Sequence, residues 1–150
     1  MAKFTEAIIS IRPNFAEAIL SGEKTVELRR RVPPIGAGTR LWIYATKPIA
    51  AVIGSSVVRR VLRASPAELW EKFGSLTGID RDAFDSYFDG AEQAIGLELV
   101  DVRRGRPIPI EKLRSIRKGF HPPQVIAQIS DREAISLDAL SRVVLQRSSA

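Results

Sequence analysis

Cysteine is absent from this 150-residue chain, histidine and methionine occur once each, and tryptophan and tyrosine twice each. Without cysteine there is no disulfide, no zinc–thiolate or iron–sulfur site and no thiol nucleophile. One histidine, His121, rules out a histidine pair for metal-free phosphodiester chemistry and a cage of several histidines around a transition metal. No apolar run reaches the length of a membrane span, and the start, Met1-Ala2-Lys3-Phe4-Thr5-Glu6, has no apolar signal core. A soluble, cytoplasmic protein with no membrane partner is expected. No Walker loop, dinucleotide fingerprint or serine elbow is present, so no cofactor is expected; Mg²⁺ held by carboxylates, in a nuclease, is the one exception left open.

What the chain does hold is an ordinary hydrophobic fraction, 45%, and an excess of positive charge, +6. At this length one domain with a buried core is expected over residues 1–150, its core from about 6 to 130 and a C-terminal helix and tail over 131–150. Arginines outnumber lysines 17 to 6. Guanidinium groups make planar, two-point contacts to phosphate and stack on bases, so the bias points toward nucleic acid, although many domains are simply basic. Four clusters carry much of it: Arg29–Arg31, Arg59 and Arg60 with Arg63, Arg103 and Arg104 with Arg106, and Arg114 with Arg117 and Lys118. Scatter over the surface is the default for such clusters.

Residues 6–12 read as a strand, and Pro13 opens a short helix with Phe15, Ala16, Ala18 and Ile19 on its apolar side. Gly22 fits the left-handed position past its end. The next strand, Thr25 to Arg31, alternates, with Val26 and Leu28 toward the core and Glu27 and Arg29 on the other face. Strands follow at 39–46 and 50–62, the latter bulged near Gly54. Ser65-Pro66-Ala67-Glu68 reads as a capping box, and Phe84, Tyr87 and Phe88 lie on another short helix. Strands at 92–103 and 124–129 and an amphipathic helix over 136–146 complete the reading. Short strands with helices between them predict an α+β, mainly β, architecture: a small closed or half-closed barrel with peripheral helices.

Two constellations carry candidate chemistry. Lys24, Glu27 and Arg29 fall within six residues, after a helix stop and at the mouth of a strand. Glu27 is suited to accept hydrogen bonds from a base edge or to activate water, and Lys24 and Arg29 to hold phosphate or an oxyanion. By spacing alone, a charged strand face with a cross-strand salt bridge accounts for the same three residues. In Tyr44-Ala45-Thr46-Lys47-Pro48, the Tyr44 ring is suited to stack a base and Lys47 to reach a phosphate; a core-facing aromatic stripe explains Trp42 better than Tyr44.

The order of these segments resembles the ASCH domain, a branch of the PUA-like superfamily. Gly22-x-Lys24-x-x-Glu27-x-Arg29 matches its Gly-x-Lys-x-x-Glu-x-Arg signature. Ser10-Ile11-Arg12-Pro13 with its helix, Tyr44-Ala45-Thr46-x-Pro48, Tyr87-Phe88-x-Gly90 and Pro122-Pro123-Gln124 are similar to its other landmarks, from about Ile8 to Ile129. The resemblance implies a β-barrel with a cleft between barrel and helices into which the signature residues point. It implies RNA or a nucleotide as partner, with single-stranded RNA contacted by Lys24, Glu27, Arg29, Tyr44, Thr46 and Lys47. Some small relatives are ribonucleases, others hydrolyse the acetyl amide of N4-acetylcytidine, and ASCH domains also serve as interaction modules in regulators. The amidohydrolase branch has a threonine nucleophile where this chain has Glu27, and Thr25 is one residue out of register, so that mechanism does not carry over intact. With Lys24 and Glu27 as catalytic pair, Glu27 would activate water and Lys24 stabilise the oxyanion. An interaction module would show an apolar patch outside the cleft, for example on the tail helix through Leu137, Leu140, Val143, Val144 and Leu145.

Overall fold

A computed structural model describes residues 3–142. Six strands, β1 (Glu6–Ile11), β2 (Val26–Arg29), β3 (Arg40–Ala45), β4 (Ala51–Ala64), β5 (Ala94–Pro109) and β6 (Ala127–Gln128), form one sheet in the order β2-β5-β4-β3-β1-β6. Five helices flank it: α1 (Pro13–Ser21), α2 (Pro66–Phe73), α3 (Arg81–Tyr87), α4 (Ile110–Ile116) and α5 (Asp131–Ser141). The mainly β fold with peripheral helices is as expected, but the sheet is not a closed barrel, because its edge strands β2 and β6 do not pair.

Alternation assigns each strand a face. Ile9, Ile11, Leu41, Ile43, Leu97 and Leu99 fill the concave core with Ala16 and Ile19 of α1. Ile8, Trp42, Tyr44 and Val52 point the other way, into a second core under α4 and α5, with Leu113 and Leu137. Val26 and Leu28 belong to a third, beneath α2 and α3, with Leu69, Phe84 and Phe88. Full burial of each such side chain is worth about 1.5–3 kcal/mol. Within β4, register shifts between Val52 and Gly54 let the strand bend, and a Cβ on Gly54 would stand 2.5 Å from the Arg103 carbonyl oxygen.

Boundaries depart from the sequence reading where local signals are weak. The 25–31 strand pairs only over Val26–Arg29, and the 124–129 strand shrinks to two residues. The 92–103 strand instead runs on to Pro109, because it follows the whole length of β4. At α2 only half of the expected box forms: the Ser65 hydroxyl accepts from the Glu68 amide. The complete box is Ser130 with Glu133, and it starts α5 five residues before the expected 136. Leu137 is buried under that helix and Leu140 is 37% exposed; Val143, Val144 and Leu145 lie outside the described residues.

Two ion-pair clusters fasten α5. The Arg40 guanidinium bonds both Glu6 and Asp138. Arg117 bonds the Glu133 carboxylate at 2.6 and 2.7 Å. That guanidinium, aided by the Ser130 cap and opposed by burial, holds Glu133 at a pKa of about 2. A depressed carboxylate contributes stability above its unfolded pKa and loses it as pH falls through the folded value. Glu133→Gln is therefore expected to lower Tm at pH 7 by about 3 °C. It should also flatten the pH dependence of Tm between about 4.5 and 2; differential scanning fluorimetry across that window checks both.

Candidate functional site

The open side of the sheet is where the charged signature collects. β6 pairs with β1 only at Ala7 and Ile8, so the main chain at Ser10 has no strand on that side. The sheet curls until edge strand β2 faces this gap, and Arg29 spans it. Arg29 Nη2 donates to the Ser10 carbonyl at 2.9 Å and to Glu27 Oε2 at 2.9 Å.

Each member of the cluster is placed by its own local structure. Gly22, at φ +88°, ends α1 and turns the chain so that the Lys24 amide donates to Ala18 O. Strand alternation then sets Glu27 opposite Leu97 and Arg29 opposite Ile95. The face expected to be polar is thus the concave side of the sheet, and Glu27 is only 7% exposed. Lys24, expected at the mouth of the strand, is 2% exposed. Its Nζ donates to the Thr77 carbonyl and lies 3.4 Å from Glu27 Oε1, above the Phe15 ring. The Thr77–Gly78 turn covers its stem: at Gly78, φ is +74° and a Cβ would stand 3.2 Å from Lys24 Cβ. Burial pushes the Lys24 ammonium pKa down, and Glu27 opposes that shift. An exposed strand-face salt bridge therefore does not describe these residues; two cations share one buried carboxylate.

The edge of β2 that pairs with no strand is occupied as well. Glu27 Oε1 accepts from the Leu28 amide at 3.2 Å, and the Tyr87 hydroxyl donates to the Leu28 carbonyl at 3.2 Å.

A cavity of about 360 Å³ opens at this seam. Lys24, Glu27 and Arg29 line it with Ser10 and Ile11 of β1, Arg12 just before α1, Phe15 of α1, and Ile79, Ala83 and Tyr87 on the α3 side. Arg12 and Tyr87 were not among the residues singled out as contacts. The Ser-Ile-Arg-Pro landmark placed Arg12 at the right strand end, but nothing local to Tyr87 shows that α3 folds back over β2. Thr25 is not among the lining residues.

Tyr44, Thr46 and Lys47 line a different cavity, of about 610 Å³, together with Ala50, Ile110, Arg114 and Pro122. Tyr44 is 1% exposed and packs 6.1 Å from Phe120, so the core-facing reading fits it as fully as Trp42. Burial raises its hydroxyl pKa, with the Arg114 charge acting in the opposite direction. The six expected contact residues thus divide between two cavities.

Most of the basic clusters do not converge on either cavity. Arg59 and Arg60 pair with Glu98, Arg103 with Asp101, Arg104 with Glu17 and Arg117 with Glu133. Arg30 caps the end of α3 through the Tyr87 and Asp89 carbonyls. His121 is exposed, its Nδ1 3.3 Å from Gly119 O. Among the described residues no three acidic or histidine side chains gather closely enough to hold a metal ion.

Removing the shared carboxylate leaves Lys24 and Arg29 buried without a counter-charge. Glu27→Ala is expected to destabilise the fold by about 3 kcal/mol, read from urea unfolding. Glu27→Gln, which keeps the shape and the hydrogen-bonding oxygen, should cost less.

Known proteins share the fold in which these residues sit. An ASCH domain-containing ribonuclease of Zymomonas mobilis is 38% identical over 139 residues, covering 93% of this chain and 94% of that protein. The crystal structure of ASCH from Zymomonas mobilis superposes with a TM-score of 0.90 over 92% of this chain and 96% of that one, at 38% identity. The N-terminal domain of Staphylothermus marinus McrB shares the fold, with a TM-score of 0.58 at 14% identity over 93% of this chain and 98% of that one. The ASCH domain model itself matches residues 9–104, from within β1 into β5, and the chain belongs to the ASCH domain family.

Proposed function

We propose that this protein binds single-stranded RNA, with an unpaired nucleotide entering the seam cavity. The observation that carries the reading is the preformed cluster at its floor: one carboxylate held between two cations, half-walled by Phe15 and Tyr87. Arg29 is the more accessible cation, with 17% of its side chain exposed, and Arg12 stands exposed beside it. Glu27 offers an acceptor to a base edge, Arg29 and Arg12 offer donors to phosphate or carbonyl oxygen, and the aromatic rings offer stacking surface. Lys24 acts from below, fixing Glu27 rather than reaching out itself. The 38% identical Zymomonas mobilis protein, named a ribonuclease, supports RNA as the ligand class.

Fluorescence anisotropy with a labelled single-stranded oligoribonucleotide tests this. Wild type should bind at low salt, with affinity falling on a log–log plot by about 0.7 per phosphate engaged. Arg29→Ala should weaken binding about tenfold, a loss of about 1.4 kcal/mol. Undetectable binding at low salt, or affinity indifferent to Arg29→Ala in a variant that stays folded, would remove the reading.

The same relative's name favours a second reading, in which bound RNA is also cleaved. Here Glu27 takes the proton of the attacking 2′-hydroxyl as its oxygen bonds to phosphorus, the P–O5′ bond breaks with the leaving oxygen protonated by water, and the cations stabilise charge developing on phosphate. Purified protein incubated with end-labelled single-stranded RNA, with and without Mg²⁺, should then give fragments. Glu27→Gln should slow their appearance by about a hundredfold or more. Cleavage at wild-type rate in that variant assigns the chemistry to another site or another protein.

A further inference from the structure

The two cavities are not independent features of the surface. β1 and β3 are adjacent parallel strands in register, with Ser10 beside Tyr44 and Ile11 beside Ala45. The Thr46 amide continues that ladder by donating to the Ile11 carbonyl at 3.0 Å. Ser10 to Arg12 line the seam cavity, and Tyr44, Thr46 and Lys47 line the second. The cavities therefore flank the paired C-terminal ends of two neighbouring strands, whose backbones lie about 4.8 Å apart.

Charge favours a shared anionic ligand. Arg12, Lys24 and Arg29 face a single carboxylate in the seam cavity; Lys47 and Arg114 line the second, whose lining holds no carboxylate, although the Glu111 charge acts on its Tyr44 from nearby. Arg12 and Lys47, each following the paired strand ends, are exposed and have no ion-pair partner among the described residues, unlike Arg59 and Arg60 of β4 and Arg103 of β5. Unpaired cations between two partly apolar hollows suit a chain in which flat rings alternate with phosphates.

We propose that the two cavities are neighbouring subsites for one RNA strand, an unpaired nucleotide in each and the connecting phosphate over Arg12 and Lys47. The inference rests on the RNA-binding reading above and adds a minimum ligand length to it. The second subsite acts by linkage: once the first nucleotide is seated, the next is held at high local concentration near its own cavity.

Isothermal titration of the intact protein tests it, using the four nucleoside 5′-monophosphates and mixed-sequence oligoribonucleotides of two, four and six residues. Affinity should rise about tenfold or more from monophosphate to the short oligomers, the increment of a second linked contact. Lys47→Ala and Arg12→Ala, both at exposed positions, should leave Tm unchanged. Lys47→Ala should weaken tetranucleotide binding, reduce its salt slope by about 0.7 and spare monophosphate binding. A tetranucleotide no tighter than a monophosphate overturns the two-subsite arrangement while leaving the seam cavity as an RNA site. The same follows if Lys47→Ala binds the tetranucleotide like wild type while Arg29→Ala does not. Failure of wild type to bind any of these ligands removes the RNA reading and this inference together.

Discussion

One guanidinium holds the open side of this fold together. Arg29 reaches from the edge of β2 to the Ser10 carbonyl on β1 and, with the same nitrogen, grips Glu27. In a closed barrel that carbonyl would belong to a neighbouring strand. Here a side chain takes its place, and a hydrogen bond from a charged donor is stronger than the neutral ladder bond it replaces. Because a side chain rather than a strand spans the gap, there is room beside it for a cavity. Phe15 of α1, the buried Lys24, and Ala83 and Tyr87 of α3 all lie around that bridge.

Buried charge is costly, and the protein meets the cost before any ligand arrives. Lys24, Glu27 and Arg29 satisfy one another and the carbonyls of Thr77 and Ser10. Breaking such a cluster is worse than never having it, which favours retaining all three residues together. The result is a polar floor oriented in advance, and for the proposed RNA ligand such pre-organisation lowers the cost of binding.

The fold was legible to the extent that it depends on short-range pattern. Alternation placed Val26 and Leu28 in one core and Glu27 and Arg29 on the opposite face, and Gly22 marked the end of α1 correctly. Pattern could not say that the opposite face is concave and shielded, because curvature is a property of the whole sheet. The same limit divided the site. Tyr44 and Glu27 are near landmarks of similar weight in sequence, yet β3 directs Tyr44 outward under α4 while β2 directs Glu27 inward. Ser130 and Glu133 are a plain box motif that local reading could have found, whereas Tyr87 becomes part of the seam only through a contact 59 residues away in sequence.

The groups on Leu28 have a further consequence. An open sheet normally offers its edge to any passing strand, and growth by addition is the hazard. At the unpaired edge of β2 the Leu28 amide is taken by Glu27 and the Leu28 carbonyl by Tyr87, so this residue has neither group left for a foreign ladder. The carboxylate that shapes the cavity thus also guards the edge, and the chain keeps a gap in its sheet without turning that gap into a template for its own polymerisation.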